Sequence, residues 1–135
     1  MPIDEQAVHD LARSYTEAWC SHDPVRVAKH FVPGGTIAIN GGAPTEVTEV
    51  ARSFITAFPD IQVFMDDVVF TGEVVEYHWT FTGTFTGPGG TGKRVRISGF
   101  EEWTMAEDGL VAESQGRYDQ VEYERQLEHG APDVQ

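Results

Sequence analysis

The sequence has little cysteine and no long apolar run. Its only cysteine is Cys20, so an intrachain disulfide and a cysteine-based metal cluster are both excluded. No apolar stretch approaches the roughly 18 residues that a membrane-spanning helix needs. The N-terminal residues MPIDEQAVHD lack the basic flank and the apolar centre of an export signal, so we expect a cytoplasmic protein.

Positive charge is also scarce. Nine lysines and arginines stand against 22 aspartates and glutamates, which gives a formal net charge of −13. An acidic surface repels the phosphates of nucleic acids and the headgroups of anionic lipids. We therefore expect neither a nucleic acid nor a membrane as a partner.

Motifs for metal, nucleotide and nucleophilic chemistry are missing or incomplete. Residues 87–93 match the start of a phosphate-binding loop, but Arg94 follows where magnesium binding requires Ser or Thr, so we interpret the stretch as a hairpin turn. The five histidines show no metal-ligand spacing, and no Ser-His-Asp triad is recognisable. We expect no metal and no other cofactor.

The N-terminal half has the periodicity of helices. With 135 residues, 40% of them hydrophobic, the chain predicts one domain over residues 1–135. A first helix is predicted over residues 4–20, and a short second helix begins after Asp23, which we interpret as a cap. A third helix is predicted over residues 45–58. The first helix is indicated by apolar residues with helical spacing: Val8, Leu11, Ala12, Tyr15, Ala18 and Trp19.

The second half predicts strands, after one short strand at residues 36–39. Residues 61–70, 73–86, 94–105 and 110–118 are β-rich, and Asp108-Gly109 predicts a type I′ hairpin turn before the last strand. A short polar segment follows Asp119. Helices followed by strands predict an α+β domain, with a mostly antiparallel sheet packed on about three N-terminal helices.

Two side chains are candidates for acid–base chemistry. Asp119 ends the last predicted strand, where a sheet meets its covering helices, and burial there would suit its carboxyl to proton transfer. It could equally be an exposed aspartate or pair with Arg117. His78 lies among threonines on the polar face of its strand, where it either lines a cavity or faces solvent or a dimer interface.

Several short motifs occur in an order that resembles a known family. They are Trp19 with His22-Asp23, Phe58-Pro59-Asp60, TFTGT at residues 80–84, Gly90 to Lys93, Asp108 to Glu113, and Tyr118-Asp119 with Gln126-Leu127. Their order and spacing resemble the SnoaL-like polyketide cyclases of the nuclear transport factor 2-like superfamily. The resemblance covers nearly the whole chain.

The resemblance implies a cone-shaped domain, in which a curved sheet wraps around the helices and forms a deep apolar pocket. It also implies a homodimer and a small hydrophobic, carbonyl-containing ligand. In such cyclases the residue matching Asp119 is the general acid/base of a cofactor-free aldol closure, and we expect His78 to assist it by a hydrogen bond. The residues expected to contact the substrate are Tyr15, Asn40, Phe54, Trp103 and Gln115.

Other activities of the superfamily match less well. A steroid isomerase would share Tyr15, but Ile39 and Asn40 stand where its aspartate base is expected. An epoxide hydrolase would share the spacing of Arg117 and Asp119, but residues 94–105 offer no second aspartate. The alternative from another functional class is a non-catalytic ligand-binding or assembly module of the same fold.

Overall fold

The computed structural model describes residues 4–132. Over that range the chain forms four helices and six strands, which confirms the α+β class. In chain order they are α1 (Glu5–Cys20), α2 (Pro24–Ala28), β1 (Phe31–Ile39), β2 (Thr45–Glu46), α3 (Val47–Ala57), β3 (Gln62–Thr71), β4 (Val74–Thr84), β5 (Arg94–Met105), β6 (Val111–Tyr118) and α4 (Gln120–His129).

The six strands form one curved sheet in the order β2-β1-β6-β5-β4-β3. Every pair is antiparallel except β1 and β6, which run parallel, so the predicted mostly antiparallel sheet is confirmed. One face of the sheet packs against α1 and α3, and the core lies between these layers. The largest fully buried side chains there are Trp103, Tyr15, Tyr77 and Phe58.

Local sequence signals position the N-terminal helices. The Asp4 carboxylate caps α1 by accepting a hydrogen bond from Ala7 N at 3.2 Å. Asp23 caps α2 in the same way, through Val25 N at 3.0 Å and Arg26 N at 3.4 Å. The interpretation of Asp23 as a cap is therefore confirmed, and Pro24 occupies the first helical turn, where its missing N–H is not needed.

The hairpin between β5 and β6 lies where Asp108-Gly109 predicts it, but its geometry differs. Gly109 has a φ of 85°, whereas Asp108 is not in the left-handed region, so the predicted type I′ turn is wrong. The Asp108 carboxylate instead accepts a hydrogen bond from Leu110 N at 3.1 Å. The turn predicted from residues 87–93 is confirmed, and Gly89 and Gly92 supply its positive φ angles of 76° and 74°.

The polar segment after Asp119 is a helix, α4, which the sequence did not predict. Its sequence has few apolar residues, so helical periodicity is weak, but tertiary contacts compensate. Tyr123 packs edge-to-face on Tyr118, with ring centroids 5.3 Å apart. The buried Gln126 accepts a hydrogen bond from Arg96 N at 2.7 Å. Within residues 4–132, no helix has both the length and the apolar character to cross a bilayer.

Candidate functional site

An apolar pocket of ≈ 60 Å³ opens between α1, α3 and the inner face of the sheet. Its aliphatic wall comes from Ile37, Ile39, Val50, Ile61, Val63 and Gly116. Its aromatic wall comes from Trp19, Phe54, Tyr77, Trp79, Phe81 and Tyr118. The alternation of β4 explains three of these, because Tyr77, Trp79 and Phe81 point to the same face of the strand.

Glu101 on β5 supplies the one carboxyl of the pocket wall that residues 4–132 form, and only 7% of its surface is exposed. A carboxylate buried without partners would be costly, and three neighbouring donors compensate here. Trp103 Nε1 donates to Glu101 Oε1 at 2.9 Å and Ser114 Oγ donates at 2.8 Å. The Tyr15 hydroxyl lies 3.2 Å from Oε1 and 3.1 Å from Oε2.

The two oxygens of Glu101 therefore differ. Oε1 accepts from three side chains, whereas Oε2 shares only the Tyr15 hydroxyl, so Oε2 is the oxygen with room for a proton. Burial raises the pKa of Glu101 above its ordinary value, although the hydrogen bonds from Trp103, Ser114 and Tyr15 oppose this shift. Burial and the neighbouring Glu101 charge also raise the pKa of Tyr15 well above its usual range, so Tyr15 stays a hydrogen-bond donor.

The indole of Trp79 also forms part of the pocket wall. Among the side chains of residues 4–132, its Nε1 is the one buried nitrogen or oxygen atom without a hydrogen-bond partner. The Tyr77 hydroxyl, by contrast, is bonded to Thr16 Oγ1. The surface that the pocket presents is therefore almost wholly apolar.

The aromatic cluster extends from the pocket to α4. The Tyr118 ring lies 6.1 Å from Trp79 and 5.3 Å from Tyr123, measured between ring centroids. Burial raises the pKa of Tyr118, and it raises that of Tyr123 to about 12. Both phenols are therefore neutral near pH 7 and act as apolar walls with a polar tip.

One family model matches most of the chain. Residues 9–127 match the model of the SnoaL-like polyketide cyclases. The chain belongs to this family. No match is found among curated proteins.

Solved structures of related proteins share the fold. A protein from Jannaschia sp. CCS1, assigned as a SnoaL-like polyketide cyclase, is 24% identical, with a TM-score of 0.75 over 98% of this chain and 97% of that one. A protein with a ketosteroid isomerase-like fold from Catenulispora acidiphila is 13% identical, with a TM-score of 0.75 over 87% and 92% of the two chains. SalBIII, an epoxide hydrolase/cyclase-like enzyme in pyran ring formation in salinomycin, is 18% identical, with a TM-score of 0.74 over 88% and 95%.

Three of the predicted substrate-binding residues lie in or beside the pocket of this SnoaL-like chain. Phe54 on α3 is part of the wall. Tyr15 and Trp103 are fully buried behind the wall, where each donates a hydrogen bond to Glu101. These two side chains position the carboxyl and do not line the pocket.

Asp119 and Asn40 lie at strand ends, outside the pocket wall. Asp119 is exposed and caps α4, and its Oδ1 accepts a hydrogen bond from Glu122 N at 3.0 Å. Asn40 joins β1 to the end of β6, accepting from Tyr118 N at 2.9 Å and donating to Gln120 Oε1 at 3.0 Å. The pairing of Asp119 with Arg117 does not occur, because Arg117 Nε donates to Glu102 Oε1 at 2.9 Å.

His78 and Gln115 point away from the pocket, to the outer face of the sheet. His78 is stacked on Phe100, with ring centroids 5.2 Å apart, and its Nε2 lies 3.0 Å from Glu76 Oε1. Gln115 pairs with Glu102 across the strands, whereas the neighbouring Gly116 lines the pocket. His78 therefore does not line the cavity. It lies on the face of the sheet that is open to solvent or to a dimer interface.

Glu101 is the site residue that sequence reasoning missed. A signal for it exists, because Glu101 lies two residues before Trp103 and so shares its face of the strand. Trp103 was itself expected to contact the substrate. The adjacent Glu102 weakens this signal, since two consecutive glutamates are typical of a solvent-exposed part of a strand.

Proposed function

We propose that this SnoaL-like chain is a cofactor-free enzyme of the cyclase or isomerase type that acts on a small hydrophobic carbonyl compound. The observation that carries the proposal is the Glu101 carboxyl, which is buried, has a raised pKa and lies on the wall of an apolar pocket. Titratable groups with such properties are concentrated at catalytic sites.

The chemistry that suits this site is proton transfer next to a carbonyl group. Glu101 Oε2 removes the α-proton, so a C–H bond breaks, an O–H bond forms and the electron pair moves onto the carbonyl oxygen. In a cyclisation, the resulting carbanion attacks a second carbonyl of the same molecule, and the new alkoxide takes the proton back from Glu101. Burial favours the first step, because proton removal neutralises the buried carboxylate.

The neighbours of Glu101 act as positioning residues in this proposal. Trp103 and Ser114 hold Oε1, which leaves Oε2 to exchange the proton. Tyr15 is held in turn by rings on several sides, including Trp103 at 5.5 Å and Tyr77 at 5.3 Å between centroids. A carboxyl fixed in this way loses little conformational entropy when it reaches a reactive geometry.

The pair proposed from the sequence, Asp119 with His78, has less geometric support. Asp119 is exposed at the start of α4 and already serves as its cap. His78 lies on the opposite face of the sheet from the pocket-lining Tyr77 and Trp79. Neither side chain lies on the pocket wall, whereas Glu101 does.

The deciding experiment measures exchange of α-protons. 2-Tetralone, a small hydrophobic ketone, is incubated with the protein in D₂O, and loss of its α-proton signal is followed by ¹H NMR. We expect wild-type protein to accelerate exchange, and Glu101→Gln to lose about 100-fold or more of the acceleration. Glu102→Gln is the matched control, because it makes the same change on the next residue, whose carboxylate pairs with Arg117 on the outer face.

Two results would contradict the assignment. If Glu101→Gln and Glu102→Gln lost equal amounts of the exchange activity, the loss would not be specific to the pocket carboxyl. Loss of catalysed exchange in Asp119→Asn, with full exchange activity in Glu101→Gln, would instead support the pair of Asp119 and His78 proposed from the sequence.

The second candidate function is a non-catalytic ligand-binding module. It is favoured by the three hydrogen bonds to Glu101, which would equally make the carboxyl a structural anchor of the core. Under this alternative 2-tetralone binds, but wild-type protein does not accelerate its exchange.

We also propose that the chain forms a homodimer through the outer face of the sheet. Phe64 on β3 is 49% exposed there, and the stacked pair of His78 and Phe100 adds a second apolar patch. Cross-strand pairs place Phe64 opposite Thr80, and His78 opposite Phe100, on this same face. Association would cover these rings.

A further inference from the structure

Gly116 on β6 lies directly opposite Glu101 on β5, and both residues belong to the pocket wall. Cross-strand partners point to the same face of a sheet, so a side chain at position 116 would stand next to the Glu101 side chain. On the other side of Glu101 the cross-strand partner is Tyr77, whose ring is buried and stacked on Trp103. Glu101 therefore has a ring on one side and no side chain on the other.

The backbone does not require glycine at position 116. Gly116 is buried inside a strand, and its φ lies outside the left-handed region. Glycine at such a position weakens a strand relative to alanine, and it often marks a place that a ligand or another chain segment approaches closely. The reason for this glycine is therefore to be found in what lies over it.

Two other glycines on the inner face of the sheet have an aromatic side chain over them. A Cβ at Gly83 would lie 2.8 Å from Cβ of Phe58. A Cβ at Gly99 would lie 2.9 Å from Cζ2 of Trp79. At both positions a ring of the protein itself occupies the space that the missing side chain leaves.

The space at Gly116 is not filled in this way. A Cβ there would lie 3.2 Å from Cδ1 of Ile39, and the next atoms, from Ala38 and Ile37, are 3.6 Å and 3.9 Å away. These three nearest atoms all belong to β1, so no atom of Glu101 or of a helix is nearer than 3.9 Å. Gly116, Ile39 and Glu101 all line the pocket, and we call the space between them the recess.

We propose that the recess receives the reacting part of the ligand, and that Gly116 determines specificity through the size of the group that fits beside Glu101. This assignment rests on the proposed function in naming Glu101 as the proton acceptor, and it deepens that function by placing the reacting carbon over Gly116. The pocket holds ≈ 60 Å³, about four to six times what one water needs. One added methyl group therefore takes a sizeable part of it, and one methylene in an apolar pocket changes discrimination about 10- to 200-fold.

The test adds one methyl group to the recess. In Gly116→Ala the new carbon comes closest to the flexible end of Ile39, at 3.2 Å, so we expect the variant to fold and to resist urea at least as well as wild type. In NMR titrations, 2-tetralone should bind to it about tenfold more weakly or worse. Cyclopentanone is smaller and can lie away from the new methyl group, so its affinity should stay within about threefold of wild type.

Two further variants separate the recess from the rest of the fold. Ser98→Thr also adds one methyl group, but on the outer face of β5, where Ser98 is exposed, so both ketones should bind as they do to wild type. Ile39→Val removes Cδ1, the atom nearest to the new methyl group of Gly116→Ala. The double variant Gly116→Ala/Ile39→Val should therefore regain about threefold or more of the lost affinity for 2-tetralone.

A measurement on the wild-type protein does not depend on how any variant folds. If the reacting carbon lies over Gly116, nuclear Overhauser effects should connect the α-protons of bound 2-tetralone with the α-hydrogens of Gly116. They should be absent for Gly99, since the ring of Trp79 covers that glycine.

Several results would overturn the assignment of Gly116. They are unchanged binding of 2-tetralone in Gly116→Ala, equal weakening of both ketones in that variant, no contact between bound 2-tetralone and Gly116, and no binding of 2-tetralone by wild-type protein. The binding results are separate from those of the exchange assay. Selective weakening in Gly116→Ala without catalysed exchange by wild type would refute the enzyme proposal alone. Catalysed exchange that Gly116→Ala leaves unchanged would refute the role of Gly116 alone.

Discussion

Tyr15 on α1 donates its hydroxyl hydrogen to Glu101 on β5, at 3.1 Å from Oε2 and 3.2 Å from Oε1. The two residues are 86 positions apart in the chain, and both are buried. The bond therefore exists only when α1 is docked on the sheet. It couples the docking of a helix to the ionisation of the pocket carboxyl, so stability and proton affinity should change together.

Glu101→Gln should change how stability depends on pH. Below the ordinary pKa of 4.5, Glu101 is protonated in both the folded and the unfolded chain. As the pH rises, the unfolded chain releases this proton first, because burial raises the pKa in the folded state. The contribution of Glu101 to the free energy of unfolding therefore falls with rising pH until the folded pKa is passed.

Glutamine does not titrate, so Glu101→Gln lacks this fall. Urea unfolding of both proteins, from about pH 5 to about pH 8, should show wild type losing stability relative to the variant as the pH rises. Curves that stay parallel over this range would show that the folded pKa of Glu101 is not raised.

Tyr15→Phe should weaken the fold and raise the proton affinity of Glu101. The change removes a hydroxyl whose hydrogen bond lowers the pKa of Glu101, so the pH profile of α-proton exchange should move to higher pH. We expect the free energy of unfolding to fall by about 1–3 kcal/mol in urea titrations.

The control for Tyr15→Phe is Tyr123→Phe, which removes the hydroxyl of a half-buried tyrosine that does not contact Glu101. It should leave the pH profile of exchange unchanged. A profile that moved equally in both variants would contradict a specific link between Tyr15 and Glu101.

Asp119→Ala should destabilise α4 and leave proton exchange intact. The variant removes the acceptor for Glu122 N, and loss of an N-cap costs about 0.5–2 kcal/mol. Asp119→Asn keeps a capping oxygen and should cost less than Asp119→Ala, as measured by urea unfolding. Equal destabilisation by the two substitutions would contradict the conclusion that Asp119 stabilises the protein as the N-cap of α4.

Phe64→Glu should weaken the proposed homodimer. Phe64 is half exposed on the outer face of the sheet, so a charge there would be buried without a partner on association, which is costly. Sedimentation velocity should show a dimer for wild type and a shift towards monomer for the variant. Val121→Glu is the control, since Val121 is also an exposed apolar residue, at 77%, but lies on α4. A monomeric wild-type protein would refute the proposal directly.

The parts of the fold that depend on residues close together in the sequence could be predicted from the sequence. Asp23-Pro24 specifies the start of α2, because a cap and a fixed φ act within one turn. The alternation of Tyr77, Trp79 and Phe81 specifies which face of β4 is buried, because the side-chain period of a strand is two residues. For α4 these local signals are weak, and packing of Tyr123 on the sheet stabilises the helix.

The sequence by itself determined the α+β class, the family and the apolar strip of β4 that became the pocket wall. Only the tertiary structure decided which acidic residue lies at that wall. Glu101 and Glu102 are identical in type and adjacent, yet one contacts Tyr15 and the other contacts Arg117. The strand's alternation separates their faces, but which face is covered depends on the docking of α1, and burial of a carboxyl is a property of that distant contact.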